Sequence, residues 1–112
     1  MHLKILEHAS EVVLTVDESA NKIVGFVTAI TDGVMCAYIP LLEVLPEYRG
    51  RGIGTELMRR MMQKLDDLYM TDLLCDERMV SFYTRFGMRK ATGMMIRRYR
   101  FQAGREQPMP ER

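Results

Sequence analysis

The sequence contains no tryptophan and only two cysteines, Cys36 and Cys75. Each sits inside an apolar run, and their placement fits neither a metal-ligand spacing nor a disulfide framework. Both read as reduced core thiols, which points to a cytoplasmic protein without a bound metal. No run of about 18 apolar residues exists, so no membrane span is expected. The opening stretch MHLKILEHASEVV lacks a secretory layout, because Glu7 and His8 interrupt its apolar portion. The formal net charge is only +1, too little to draw the chain to nucleic acid or an anionic membrane. His2 and His8 belong to no cluster and read as surface residues near the start of the chain.

What is present suits one small domain of 112 residues, with 47% apolar residues and eleven methionines that act as adaptable core filler. Residues 1–9 carry a weak helix signal. Glu11–Asp17 (EVVLTVD) and Lys22–Ile30 (KIVGFVTAI) are β-branched and apolar and predict a hairpin across ESANK. Val34–Val44 predicts a third strand after the turn Thr31–Gly33. Pro40 inside it removes a ladder donor and marks a bulge or a splay. Leu57, Met58, Met61, Met62, Leu65 and Leu68 then form a wide helical stripe. Tyr69–Cys75 predicts a strand. A second helix is expected from Asp76, with Met79, Phe82, Tyr83 and Phe86 on one face and Gly87 as its C-cap. MRKATGMMIRRYRF predicts two short strands around Thr92–Gly93. The order is βββ-α-β-α-ββ, an α+β domain with a mixed, mostly antiparallel sheet flanked by helices. It spans residues 1–100, and the polar, proline-bearing residues 101–112 read as a disordered tail.

The distinctive stretch is LPEYRGRGIGTELMRR, Leu45 to Arg60, where three glycines and two arginines precede the long helix. A helix N-terminus offers unpaired N–H groups and about half a positive charge. Glycines ahead of it let an anion approach the backbone, and arginines add phosphate donors. A Walker loop is excluded, because no Gly-Lys-Ser/Thr follows. A dinucleotide fingerprint is excluded as well: Thr55 stands where its third glycine belongs, and an antiparallel meander precedes the loop.

Val44-Leu45-Pro46-Glu47-Tyr48-Arg49-Gly50-Arg51-Gly52-Ile53-Gly54 resembles motif A of the GNAT superfamily of acetyl-CoA-dependent N-acetyltransferases, V-x-P-x-[YW]-[RQ]-G-x-G-[IL]-G, at every position. Asp76 to Met88 resembles the downstream N-x-x-A-x-x-F-Y-x-x-x-G-F, with Asp76 for Asn, Met79 for Ala and Met88 for Phe. The resemblance covers roughly residues 10–100. It implies direct acetyl transfer from acetyl-CoA to a primary amine in a ternary complex, without an acyl-enzyme. It places the pyrophosphate of coenzyme A on the backbone of Arg49, Gly50, Arg51, Gly52, Ile53, Gly54 and Thr55. It sets the pantetheine arm along Leu42 and Val44, as a peptide extends a sheet, with the Leu42 N–H as oxyanion donor. Tyr83 stands where relatives carry the acid for the departing thiolate, or is a packed aromatic. Asp76 replaces a cofactor-facing amide, or serves as a helix N-cap. For the base, Glu43 is the first candidate, Tyr38 and a water chain being alternatives. Arg85, Arg89 and Lys90 compete for the 3′-phosphate.

One departure stands out: at most nine residues precede the hairpin, where the superfamily has a strand and helices that wall the acceptor pocket. A short form, a partner-supplied wall, or a non-catalytic coenzyme A-binding module are the readings left open, and a homodimer covering the exposed sheet edge is expected. A nucleic-acid binder using the C-terminal arginines is the remaining alternative, disfavoured by the charge balance.

Overall fold

The computed structural model describes residues 2–104, with side chains from residue 4. A short helix α1 (His2–His8) leads into β1 (Glu11–Asp17), β2 (Lys22–Thr31) and β3 (Cys36–Val44). A 3-10 turn at Pro46–Tyr48 and the glycine stretch precede α2 (Ile53–Lys64). Then come β4 (Met70–Asp72), a 3-10 turn at Glu77–Met79, and α3 (Val80–Thr84). The sheet runs β1-β2-β3-β4; the first three strands are antiparallel, and β4 returns parallel to β3 after the α2 crossover.

The turns follow local chemistry. Asn21 takes a positive φ of 51° after β1, where a short polar side chain is tolerated. In the β2–β3 turn the Asp32 carboxylate accepts the N–H groups of Val34, Met35 and Cys36. Those bonds hold it at about 2, below the ordinary 3.8.

The core lies between the sheet and α2. Leu57, Met58 and Met61 are buried against Val27, Ala29, Ala37 and Ile39, as the helical stripe predicts. Each such side chain contributes about 1.5–3 kcal/mol of transfer energy. Gly25 brings α2 close to the sheet: a Cβ there would lie 3.2 Å from Ile53 Cγ2 and 3.3 Å from Leu57 Cδ1. Strand alternation therefore puts Gly25, Val27, Leu42 and Val44 on the α2 face, and Val24, Phe26, Thr28 and Glu43 on the other.

Two irregularities shape β3. Thr28 pairs with Leu41 and Ile30 with Tyr38, so Ile39 and Pro40 together oppose Ala29 in a bulge. β4 pairs only with Cys36, Ala37 and Tyr38, so β3 continues to Val44 with no strand paired on that side among the described residues. Pro40, without an N–H, stands where the two strands part.

The structure corrects three expectations. Cys75 is exposed and Cys36 half-buried; both are free, and neither is a core residue. The strand expected over Tyr69–Cys75 is confined to Met70–Asp72. The two final strands do not form: residues 88–98 have no regular structure, and Tyr99–Phe101 is a 3-10 turn. Strand stability comes from cross-strand pairs, and this segment meets no strand among the described residues. The α+β class stands without it. The rest of the expected tail, residues 105–112, lies outside the described residues. Among those described, no helix is long and apolar enough to cross a membrane.

Candidate functional site

The glycine stretch is held from three sides. Tyr48, at the end of the 3-10 turn, donates its hydroxyl to Asp17 Oδ2 at the end of β1. That bond is the largest cause of the Asp17 carboxyl falling to about 2, with the Ser19 hydroxyl next. Arg51 lies 4.9 Å over the Tyr48 ring and donates Nη2 to Glu47 O at 3.0 Å. Arg49 donates Nε to Val44 O at 3.0 Å. Both guanidinium groups thus buttress the loop through one donor and keep others in hand.

Gly50 and Gly52 have φ of 79° and 82°, values a side chain strains to adopt. Gly52 is the N-cap of α2 and supplies no side-chain cap. The first intrahelical bond is Glu56 N–H to Gly52 O at 3.1 Å, so the N–H groups of Ile53, Gly54 and Thr55 stand ahead of it at the positive end of the helix. Glu56 is turned to Arg59 and Arg60, whose hydrogen bonds hold it at about 2. Phe82 of α3 packs on α2 at Gly54, its Cζ 3.8 Å from where a Cβ would be, an ordinary contact distance.

Of the three cations proposed for a phosphate, the fold brings one to the head of α2. Arg85 follows α3, lies 4.9 Å over the Phe82 ring, and donates Nη2 to Thr55 Oγ1 at 3.2 Å. Lys90 is paired with Glu77 at 2.9 Å. The Arg85–Thr55 meeting spans 30 positions of sequence, and no local pattern could have shown it.

The free side of β3 carries the next part. Leu45 N–H donates to Val24 O at 2.8 Å. Main-chain groups alternate along a strand, so Glu43 shares that direction while Leu42 and Val44 present theirs to the gap between β3 and β4. The Val44 carbonyl is the one Arg49 holds. Tyr38 is the last β3 residue paired with β4, opposite Asp72.

Tyr83 and Glu43 are not brought together. Tyr83 packs against the core beside Phe82, their rings 5.0 Å apart, and lines a cleft of about 680 Å³ between β4, α3 and residues 88–93. Burial, and then the neighbouring Cys75, push its phenol above the usual value, so it keeps its proton at neutral pH. Glu43 lies on the opposite sheet face, in a cavity of about 510 Å³ with Leu6 of α1, Phe26 and Arg49. Asp76 is exposed at the N-cap of the 3-10 turn. Its carbonyl accepts Met79 N–H at 2.8 Å, but its side chain makes no cap bond and lies 3.6 Å from Arg78.

The model of the acetyltransferase (GNAT) family matches residues 2–88. Among solved structures, a candidate acetyltransferase from Deinococcus radiodurans R1 is 46% identical with a TM-score of 0.88, over 93% of this chain and 72% of that one. A GNAT family acetyltransferase from Streptococcus pneumoniae TIGR4 is 28% identical with a TM-score of 0.73, over 86% of this chain and 76% of its own. The glucosamine-6-phosphate N-acetyltransferase of Arabidopsis thaliana, at 18% identity, shares the fold with a TM-score of 0.68, over 88% of this chain and 74% of its own. No curated protein matches. With the family model covering most of its length and the glycine loop set at the head of α2, the chain belongs to the acetyltransferase (GNAT) family, whose chemistry is acyl transfer from acetyl-CoA.

Proposed function

We propose that this protein transfers the acetyl group of acetyl-CoA to a primary amine within a ternary complex. The observation that carries the reading is the continuity of two sets of main-chain donors. One is the head of α2 opened by Gly50 and Gly52; the other is the side of β3 at Leu42 and Val44 that β4 leaves open. An acyl thioester with a diphosphate at the far end of an extended arm matches that layout, and these residues fit it. Coenzyme A supplies the activated acetyl thioester when bound.

In this reading the amides from Gly50 to Thr55 hold the diphosphate, the Arg49 N–H being spent on Pro46 O at 3.2 Å; the spare side-chain donors of Arg49 and Arg51 add charge, and Arg85 meets a further phosphate. Leu42 N–H donates to the thioester oxygen as negative charge grows there. The amine loses its proton to Glu43 from one sheet face, and the departing thiolate receives a proton from Tyr83 on the other. Asp76, exposed and acceptor-only when ionised, is at most a rim contact.

Acetyl-CoA turnover against a panel of amines, read as free thiol, tests the reading. Release of thiol that depends on one amine class supports it. Binding of coenzyme A without turnover on any amine would favour a coenzyme A-binding module instead, a reading motivated by the separation of Glu43 from Tyr83.

A further inference from the structure

The cavity that holds Glu43 has walls the transfer reading does not use. Its volume, about 510 Å³, lies within the roughly 300–1,000 Å³ of small-molecule sites. Val24 and Phe26, 2% and 6% exposed, line it from the sheet face that α2 does not cover. Leu6 of α1, Ile23 and Leu45 are its other apolar walls. Ile23 is 44% exposed and Leu45 37%, so part of that apolar lining stands open.

Two charges stand in this apolar setting. Glu43 belongs to β3. Arg49 lines the same cavity and is anchored by Nε on Val44 O at 3.0 Å, one residue along from Glu43. The anchor leaves its Nη donors for another acceptor. No third charged side chain lines the cavity among the described residues.

One acid and one base, held as neighbours beside apolar walls, are the complement of a zwitterion with an apolar side chain. Other amines fit less well. A polyamine or an aminoglycoside brings several ammonium groups; one carboxylate meets one, and the rest face Arg49 or apolar surface. A phosphorylated amino sugar sets a dianion beside Glu43 and hydroxyls against Val24 and Phe26, where they find no partner. A protein lysine offers Arg49 no carboxylate.

We propose that the acetyl acceptor is an apolar α-amino acid. Its ammonium meets Glu43, its carboxylate takes the Nη fork of Arg49, and its side chain lies against Leu6, Ile23, Val24 and Phe26. Glu43 follows Leu42 in β3, so the amine is delivered beside the thioester. Arg49 adds its charge to the diphosphate loop while its donors serve the acceptor. The proposal rests on the transfer reading above. Overall, an α-ammonium and acetyl-CoA give an N-acetyl amino acid, free coenzyme A and one proton. The N–C bond forms and the C–S bond breaks; of the two protons the nitrogen gives up, one ends on the coenzyme A sulfur and one in solvent.

The test measures thiol release from saturating acetyl-CoA with phenylalanine, leucine, aspartate, Nα-acetyl-lysine and spermidine. Alongside it, labelled phenylalanine is dialysed to equilibrium against the chain saturated with coenzyme A. Phenylalanine and leucine should exceed the other three about tenfold or more in kcat/KM. Phenylalanine should exceed phenylalaninamide, which lacks the carboxylate, by about tenfold, in line with a charge-assisted bond. That ratio should fall to about one in Arg49→Gln, a comparison in which the differing basicity of the two amines cancels. Leu6→Trp should move the preference toward alanine and leave the affinity for acetyl-CoA unchanged. Thiol release driven better by spermidine, aspartate or Nα-acetyl-lysine overturns the proposal and leaves the transfer reading standing. An amide ratio that survives Arg49→Gln, or a preference unmoved by Leu6→Trp, does the same. Phenylalanine that binds without thiol release from any amine overturns the transfer reading instead, and the ligand class stands. Phenylalanine that neither binds nor reacts overturns the proposal.

Discussion

The Tyr48 hydroxyl donates to the Asp17 carboxylate across 31 positions of sequence, tying the end of β1 to the turn that launches the glycine loop. Arg51 and Lys22 lie over the same ring. The bond fixes where the loop begins, and so where its amides point.

Tyr48→Phe should therefore weaken coenzyme A binding several-fold, with little change in kcat once saturated. Asp17→Asn should do the same, and the two losses should not add. Calorimetric titration of the single and double variants checks this; additive losses would show the two residues acting apart.

The acid side follows from the same carboxylate. Its folded value, about 2, lies below the ordinary 3.8. A depressed carboxylate contributes stability that is present above its unfolded value and lost as pH falls through the folded one. The wild type should exceed Asp17→Asn in denaturant midpoint at neutral pH, and the gap should close between about pH 4 and pH 2. A gap independent of pH would contradict it.

Gly52→Asp places a side chain at a φ of 82° and a negative charge at the positive end of α2. The strain alone is about 1–2 kcal/mol, and the charge opposes a phosphate directly. Binding of coenzyme A should be lost while the thermal midpoint moves by only a few degrees. Gly52→Ala, which keeps the strain without the charge, should retain weak binding. Equal loss in both variants would make loop shape, not charge, the cause.

Arg85→Ala should cut affinity for coenzyme A about tenfold, in line with a charge-assisted contact. Lys90→Ala should change it little, because Lys90 is already paired with Glu77. The reverse order in a binding assay would reassign the phosphate contact.

Tyr83→Phe keeps the ring that packs beside Phe82 and removes only the proton donor. Turnover should fall by about 10²-fold, the lower end for general acid catalysis, with the KM for acetyl-CoA nearly unchanged. A variant as active as the wild type would leave Tyr83 as packing alone.

Much of this was legible in the residues. The stripe from Leu57 to Leu65 named the buried face of α2 because helical spacing is local. Pro40 announced the parting of β3 from β4 because a missing N–H is a property of one residue. Gly50 and Gly52 marked a backbone that an anion can approach for the same kind of reason, while their positive φ was visible only in the structure. The C-terminal hairpin was misread, since apolar content around Thr92–Gly93 says nothing about whether a strand edge waits to receive it. Cys75 was misread because an apolar neighbourhood in sequence is not a buried one in space.

By itself, then, the sequence determined what depends on neighbours along the chain: the three-strand meander and α2, the loop that opens the head of α2, and the family motif. Only the tertiary structure decided which distant groups meet. It put Arg85 rather than Lys90 at Thr55, set Glu43 and Tyr83 on opposite sheet faces, and anchored Tyr48 to Asp17. Those outcomes depend on strand register, on the crossing of α2 over Gly25, and on where a half-paired β4 ends. They are properties of packing between remote segments, which no local pattern encodes.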